Sequence, residues 1–311
     1  MVTYSIEPAR ETLHGSFSRD YPPVLTIDAG DTVLFRTLNS GWALEPPLFQ
    51  KGLVKAFEPR DKEERDKGHA LCGPIAIRGA QPGMTLEVRI NEIRPGTWGW
   101  TGGGGWENEI NRRLGLLDQG VELIWELDPD SLLGKDQYGH TLALHPFMGV
   151  MGMPPAEPGI HSTIPPRICG GNLDCKELVA GSTLYLPITV PEALFSTGDG
   201  HALQGDGEVS GVAIECPMER VSLTFALRED LHLTTPRAQT ANAWITLGFH
   251  ENLHEACLIA LEAMLDLLGE YHHLPRTQAL ALASLVVDLR VTQIANGVLG
   301  VHAVLPHQVL S

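Results

Sequence analysis

The 311-residue sequence has no uninterrupted run of roughly 18 apolar residues, the length that a membrane-spanning helix requires. Its first residues lack a basic region followed by an apolar run, so no secretory signal peptide is visible. Basic residues are also few, because 22 Lys and Arg stand against 38 Asp and Glu, a net charge of -16. Nucleic acids and anionic membranes are bound by basic surfaces, so this charge argues against both partners. It favours neutral or cationic small molecules and metal cations.

Cysteine is scarce, and its spacing gives no sign of a disulfide framework. The five cysteines are an odd number without a Cys-x-x-Cys pair, which is typical of free thiols in a reducing cytoplasm. We therefore expect a cytoplasmic protein. Cys169 and Cys175 flank a Gly-Gly-Asn-Leu-Asp turn, which leaves a role as metal ligand or nucleophile open. Packing as small buried side chains is the favoured interpretation.

The sequence also lacks the short motifs of several common enzyme classes. There is no Gly-x-Ser-x-Gly elbow, which argues against an ordinary serine hydrolase. The glycine-rich stretch at residues 96–105 lacks the strand–glycine–helix context of a dinucleotide site and the Lys-Ser/Thr of a phosphate loop.

The order of the predicted elements favours a mainly β protein with α+β character overall. Short strand-like segments separated by Gly and Pro turns fill residues 1–235, which predicts a sandwich or barrel-like β-rich core. The apolar period then changes, and Asn252–Gly269 and Gln278–Val287 carry helical spacing. We predict a smaller, α-containing C-terminal part at residues 236–311 that packs on the core.

Two further local predictions concern glycine-rich sequence. Gly96–Gly105 reads GTWGWTGGGG, and we predict a mobile loop with aromatic walls near a pocket, with a disordered surface loop as the alternative. Glu208–Glu215 is predicted to be a strand.

The stretch His161–Glu215 concentrates acids and a histidine among glycines. We expect Asp174, Asp199 and His201 to lie in glycine-rich turns that surround the strand-like run Thr183–Val190. Asp and His in such positions serve as metal ligands and general bases. The alternative is that the acids only cap turns.

Several pieces of this sequence resemble the acetamidase/formamidase family of short-chain amide hydrolases. They follow one another along most of the chain, and the run GDGHALQGDGE is long and unusual in composition. The pieces are His69–Gly83, His145–Gly152, His161–Leu178, Gly198–Glu215, Ile245–Ala256 and Ser284–Gly297.

The resemblance implies a β-rich sandwich with a smaller α-containing part, assembly as a homodimer and a divalent-metal site with zinc or calcium. It places Asp174, Asp199 and His201 at the metal, with His69, Glu215 and Glu208 as secondary candidates. The segment from Asn39 to Pro47 departs from the family pattern, which leaves the substrate less certain than the reaction type.

Amide hydrolysis needs a nucleophile, a partner for the developing oxyanion and a proton for the leaving amine. A divalent metal supplies the first two, and we expect zinc first and calcium second. Glu208 is the expected general base, with Asp206 as the alternative. The backbone amides of Gly170, Gly171 and Asn172 are expected to face the substrate oxygen.

The resulting prediction is a metal-dependent amidohydrolase that converts small, neutral, linear amides such as formamide and acetamide to a carboxylate and ammonia. Two alternatives stay open: hydrolysis of another small C–N substrate, a lactam or a ureido compound, and a non-catalytic module that binds a structural calcium ion. Ammonia release separates the second alternative from the enzyme, and a substrate panel separates the first.

Overall fold

The computed structural model describes residues 1–46 and 55–310, which form many short strands and a few helices. In chain order the elements are β1 (Thr3–Ile6), β2 (Leu13–His14), β3 (Ser16–Phe17), β4 (Leu25–Ile27), β5 (Thr32–Phe35), β6 (Leu71–Ile77), β7 (Thr85–Pro95), β8 (Trp98–Gly104), α1 (Glu109–Leu114), β9 (Gly120–Asp128), β10 (Leu133–Asp136), β11 (Thr141–Ala143), β12 (Phe147–Gly152), β13 (His161–Ser162), β14 (Gly170–Asn172), β15 (Thr183–Pro187), β16 (Phe195–His201), β17 (Glu215–Cys216), β18 (Met218–Arg228), β19 (Arg237–Gln239), β20 (Ala243–His250), α2 (Leu253–His272), α3 (Arg276–Val286), β21 (Asp288–Gln293) and β22 (Leu299–Pro306). The predicted mainly β class is confirmed.

The strands form two large sheets and one small one. The first sheet has the order β1-β5-β18-β7-β15-β19-β20-β22-β21. The second follows β11-β10-β9-β8-β17-β16-β12-β14, with β6 joined to β16 and with β2 and β4 joined to β6. Strands β3 and β13 pair separately. Most pairs are antiparallel, although β1 with β5 and β4 with β6 are parallel.

One apolar cluster contains residues of both large sheets, as expected of sheets that pack face to face. Alternate residues of β7 and β18, including Val88 and Phe225, contribute from the first sheet. Residues of β6, β12 and β16 contribute from the second sheet. The rings of Phe195 on β16 and Phe225 lie edge to face with centroids 5.1 Å apart, so they join the two sheets directly.

Helix α2 packs against strands β20 and β22 of the first sheet. Asn252 caps it by accepting hydrogen bonds from two backbone amides of the first turn. Its buried face packs with strand residues such as Val301 and Leu305 in a second apolar cluster. The approach is close, because a Cβ on Gly248 of β20 would lie 2.2 Å from the carbonyl oxygen of Ala256. Both predicted helices are present, although α2 runs three residues beyond Gly269.

The predicted division between residues 235 and 236 runs between β18 and β19 of the same sheet. Helices α2 and α3 do lie in the predicted C-terminal part, but strands β19 to β22 extend the sheet of the first part. The two-part division therefore stays a prediction. No helix among the described residues is long and apolar enough to cross a membrane.

Two local predictions of secondary structure were wrong, although Trp100 of the glycine-rich stretch does line a pocket, as expected. Most of the glycine-rich stretch at 96–105 is strand β8, which pairs with β9 from Trp98 opposite Glu126 to Gly104 opposite Gly120. Glycine allows strand β17 to lie close to β8 here, because a Cβ on Gly99 would lie 3.0 Å from the carbonyl oxygen of Glu215. The predicted strand 208–215 is mostly turn and coil, and only residue 215 belongs to a strand.

Candidate active site

A cavity of about 200 Å³ opens where β16, β17 and the segment after β14 meet. Among its lining residues, four carboxylates and one imidazole are each more than nine-tenths buried: Asp174, Asp199, His201, Glu208 and Glu215. The described residues that line the cavity include no Lys or Arg. Buried carboxylates without a cationic partner are costly, so their gathering at one place indicates a binding site.

Strand β16 places two of these side chains. Asp199 and His201 are two residues apart on the strand, which directs both to one face. This differs from the predicted turns. Glycines flank Asp199 because the neighbouring backbone is close: a Cβ on Gly198 would lie 2.2 Å from the carbonyl oxygen of Ala70. Asp199 itself has a φ of 59°, a left-handed conformation that non-glycine residues seldom adopt outside constrained sites.

Glu215 lies opposite His201 in the β16–β17 pair. Nε2 of His201 is 3.2 Å from Oε1 of Glu215 and 3.4 Å from Oδ1 of Asp199. Ser40 donates a 2.8 Å hydrogen bond to Oε2 of Glu215, and the Ala213 amide donates to Oε1. The imidazole nitrogen therefore faces two fixed carboxylates.

Asp174 approaches the cavity from the segment that follows β14. Asn296, from the connection between β21 and β22, donates a 2.7 Å hydrogen bond to its Oδ2. The other oxygen, Oδ1, is buried and has no hydrogen-bond partner among the described residues. Space for these carboxylates is left by Gly149 of β12, since a Cβ there would lie 2.5 Å from Oδ2 of Asp199 and 2.8 Å from Oδ1 of Asp174.

The amide of Gln204 joins His201 to Asp174. Its Oε1 lies 3.0 Å from Nδ1 of His201, and its Nε2 donates a 2.8 Å hydrogen bond to the carbonyl oxygen of Asp174. Because the amide nitrogen is used on Asp174, the amide oxygen faces the imidazole, and Nδ1 must carry the proton. The second nitrogen, Nε2, is left for the cavity.

The proton affinities of the group reflect burial and crowding. Burial, reinforced by the charges of Asp199 and Glu215 against that of His201, raises the pKa of Asp174 to about 7. Burial and the charge of Asp174 raise the pKa of Glu208 well above its usual value. Burial opposes the charged form of His201, but Glu215 and Asp199 outweigh it and raise the pKa of the imidazole. Negative charge in this cavity is thus poorly compensated by the chain itself.

The donor set fits a divalent cation. Ligand atoms of Asp174, His201 and Glu208 lie within 4.8 Å of one another, and so do those of Asp199, His201 and Glu215. Neutral imidazole and carboxylate are zinc ligands, whereas a carboxylate-rich set suits calcium. The partnerless Oδ1 of Asp174 and the net negative charge are the features that a cation would satisfy.

Two predicted site residues, His69 and Asp206, do not belong to these groups of possible metal ligands. His69 lines the cavity, but its Nδ1 is 2.9 Å from the hydroxyl of Thr163 and the residue belongs to neither ligand group. Asp206 does not line the cavity. Its carboxylate forms ion pairs of 2.7 Å with Arg290 and 3.1 Å with Lys176.

The predicted substrate-binding segment is strand β14. Gly170 and Gly171 pair with β12, and neither lines the cavity. The amide of Gly170 donates to the carbonyl oxygen of Arg167, so it is not free for a substrate. Asn172 does line the cavity. Its Nδ2 donates to the carbonyl oxygen of Ile164, and its buried Oδ1 has no hydrogen-bond partner in the part of the chain that the structure describes.

Four of the five cysteines are buried thiols, and Cys257 is partly exposed. All five are free, and neither Cys169 nor Cys175 lines the cavity. Burial raises the pKa of both thiols. Since a nucleophilic cysteine needs an accessible thiolate, this arrangement does not support the cysteine alternative.

Sequence reasoning did not identify four residues that shape the site: Ser40, Gly149, Gln204 and Asn296. Gln204 and Gly149 lie inside family-like pieces, where their spacing from His201 and their glycine context were available signals. Ser40 belongs to the segment that departs from the family pattern, yet it reaches Glu215. Pro47, at the end of that segment, lies outside the described residues.

The chain is similar to known amidases over most of its length. The model of the acetamidase/formamidase family matches residues 3–162 and 156–309. A Schizosaccharomyces pombe protein provisionally named a formamidase is 28% identical over 74% of this chain and 70% of its own length. A formamidase of Methylophilus methylotrophus is 29% identical over 64% of this chain and 60% of its own length. The crystal structure of a predicted acetamidase/formamidase from Thermoanaerobacter tengcongensis has a TM-score of 0.85 at 25% identity, and the alignment covers 99% of this chain and 97% of that one.

Proposed function

This chain belongs to the acetamidase/formamidase family, and we propose that it is a metal-dependent hydrolase of small linear amides, which it converts to a carboxylate and ammonia. Membership of the family makes it an amide-cleaving hydrolase. The observation that supports the metal is the buried group of four carboxylates and one histidine in a cavity whose described lining contains no Lys or Arg.

We assign Asp199, His201 and Glu215 as the principal metal ligands, with Asp174 beside them. His201 supports this choice because its Nε2 faces both carboxylates, whereas its Nδ1 is engaged by Gln204. Zinc is the proposed metal and calcium the alternative. When bound, such a cation lowers the pKa of water and polarises a carbonyl group.

The remaining cavity residues are assigned to binding and proton transfer. Oδ1 of Asn172 is a buried acceptor, which suits the N–H donors of an amide substrate. Glu208 is proposed as the general base that takes a proton from water and gives it to the leaving nitrogen, because its carboxylate lies close to Asp174 and His201. A cavity of about 200 Å³ favours substrates as small as formamide and acetamide.

The test is ammonia release from formamide, acetamide and propionamide by the purified protein, before and after removal of metal with a chelator. We expect release that falls on chelation and returns when zinc is added; return with calcium alone would identify calcium as the metal. Full activity in protein shown to be metal-free would overturn metal dependence.

A small lactam and a ureido compound belong in the same substrate panel. Turnover of either one, with none of the linear amides, would replace the proposed substrate class and leave the metal assignment intact. Bound calcium without turnover of any member would instead support the structural-calcium alternative.

The cytoplasmic location and the homodimer stay predictions. The five cysteines are free thiols, as a reducing compartment favours. Light scattering at several protein concentrations would determine the oligomeric state; a constant mass of one chain would contradict the dimer.

A further inference from the structure

A second group of side chains that could bind a metal ion lies outside the cavity. Cys175 and Glu177 follow Asp174 in the segment between β14 and β15, and His302 belongs to β22. One ligand atom from each lies within 4.8 Å of the other two. None of the three lines the cavity, and the proposed amidase reaction gives them no role.

The two distances from Oε2 of Glu177 match those between the ligands of a tetrahedral zinc ion. Sγ of Cys175 is 3.5 Å from Oε2 of Glu177, and Nε2 of His302 is 3.3 Å from the same oxygen. Zinc–sulfur bonds of about 2.3 Å and zinc–oxygen or zinc–nitrogen bonds of about 2.0 Å at tetrahedral angles separate the ligand atoms by about 3.5 and 3.3 Å. Two of the three distances are thus already those of a zinc site, and the third, between Sγ of Cys175 and Nε2 of His302, is within 4.8 Å.

The imidazole of His302 is oriented as in a metal ligand. The residue is fully buried, and Nδ1 lies 2.8 Å from the hydroxyl of Thr292. Within residues 1–46 and 55–310, Nε2 has no hydrogen bond of suitable geometry, although the Glu177 carboxylate is near it. Metal-bound histidines typically have their second nitrogen held by a neighbouring polar group, as Thr292 does here.

The carboxylate of Glu177 is also held on its outer side. Arg290 is 2.7 Å from Oε1, which leaves Oε2 for the side of Cys175 and His302. Arg290 in turn pairs with Asp206. A thiolate and a carboxylate would neutralise a divalent cation, while the Arg290–Asp206 pair is neutral by itself, so the occupied group would carry little net charge.

We propose that Cys175, Glu177 and His302 form a second, structural zinc site, with a water molecule as the fourth ligand. The site would tie the segment between β14 and β15 to strand β22. Because Cys175 directly follows Asp174, zinc here would hold the backbone that presents Asp174 to the cavity. A cluster that contains sulfur also prefers zinc to calcium, which binds oxygen ligands.

Cobalt titration of the chelator-treated protein tests this site by itself. Cobalt(II) replaces zinc and gives a thiolate-to-metal charge-transfer absorption only where a cysteine is a ligand. The cavity group has no sulfur, so its occupancy does not produce this band. We expect the band in the wild-type protein and its disappearance when zinc is added.

Two variants assign the band. Cys175→Ser should abolish it, and Cys257→Ser is the matched control, because Cys257 is a free thiol on α2 and should leave it unchanged. His302→Gln should weaken cobalt affinity at least 10-fold, as measured by titration of the charge-transfer band. A wild-type protein that binds cobalt without a charge-transfer band overturns the proposal, and so does a band that survives Cys175→Ser.

The outcome is independent of the proposed function. Amidase activity that depends on metal, with no thiolate band, would reject the second site and keep the first. A thiolate band in a protein without amidase activity would support the second site and reject the proposed amidase function.

Discussion

Oε1 of Gln204 lies 3.0 Å from Nδ1 of His201, and this contact determines which imidazole nitrogen faces the cavity. The amide cannot turn around without loss of its 2.8 Å bond to the carbonyl oxygen of Asp174. Gln204 therefore orients a proposed metal ligand without touching the metal, as the hydrogen-bonding partners of metal-bound histidines do.

Replacement of Gln204 by Met should weaken metal binding about 10- to 100-fold, because His201 would lose the acceptor that fixes its tautomer. Metal affinity would be measured by competition with a chelator. Gln278→Met is the matched control, since Gln278 is exposed on α3. Excess metal should restore most of the activity of Gln204→Met; an unchanged metal affinity would show that the contact has no orienting role.

Glu208→Gln should lower turnover roughly 100-fold or more while metal content stays the same, because the amide cannot accept the proton of water. Asp206→Asn is the comparison, since Asp206 lies outside the cavity in ion pairs with Arg290 and Lys176. We expect its turnover to stay close to that of the wild type. A larger loss of turnover in Asp206→Asn than in Glu208→Gln would identify Asp206 as the general base. Loss of metal from Glu208→Gln would identify Glu208 as a metal ligand.

Gly149→Ala should lower activity through weaker metal binding and should also destabilise the fold. The new Cβ would lie 2.5 Å from an oxygen of Asp199 and 2.8 Å from one of Asp174, so the carboxylates must move. We expect metal binding weaker by about 10-fold or more and a cost in unfolding free energy of about 1–3 kcal/mol. Metal titration and urea unfolding measure the two quantities. Gly103→Ala is the control, because its Cβ would meet only Val121, at 3.9 Å; equal losses in both variants would refute the steric explanation.

His14 should make the fold less stable in mild acid. It is fully buried, with Nδ1 2.7 Å from the carbonyl oxygen of Ser16 and Nε2 2.9 Å from the hydroxyl of Ser196. Burial lowers its pKa from 6.5 to about 4. Below pH 6.5 the unfolded chain binds a proton that the folded chain refuses until about pH 4, so stability falls as the pH decreases through this window.

The size of this effect follows from the shift, from 6.5 to about 4, which corresponds to about 3 kcal/mol of unfolding free energy between neutral pH and pH 4. Urea unfolding at several pH values would compare the wild type with His14→Asn, which lacks the titrating group. His272→Gln is the control, because His272 is exposed. A pH dependence that is the same in the wild type and His14→Asn would assign the acid sensitivity to other groups.

Much of the fold and several site residues were predictable because local signals and the wider structure agree. The period change near residue 250 marks α2, whose apolar stripe packs on the sheet as the spacing indicates. Asp199, His201, Glu208 and Glu215 of the Gly198–Glu215 piece do meet in one cavity. Asp206, in the same piece, does not reach the cavity, because its carboxylate pairs with Arg290 instead.

Other features depend on contacts that sequence does not show. Strand β8 was misjudged because glycine was read as a loop signal, whereas here it admits the neighbouring strand β17. Ser40 and Asn296 reach the cavity from chain segments far from its centre, and a single serine or asparagine carries no local signal of such a contact. Long-range pairing, not propensity, determines their place.

The contact between Asn296 and Asp174 has a consequence for biosynthesis. The cavity receives side chains from residue 40 through residue 296, so a ribosome must have synthesised almost all of the described chain before the pocket can close. A cation does not meet the finished site early, because the proposed ligands between Asp174 and Glu215 are held by Ser40 and Asn296, which lie far from them in sequence. Metal capture is thus expected as the last step of maturation, and a shortened product of translation would compete poorly for scarce metal in the cell.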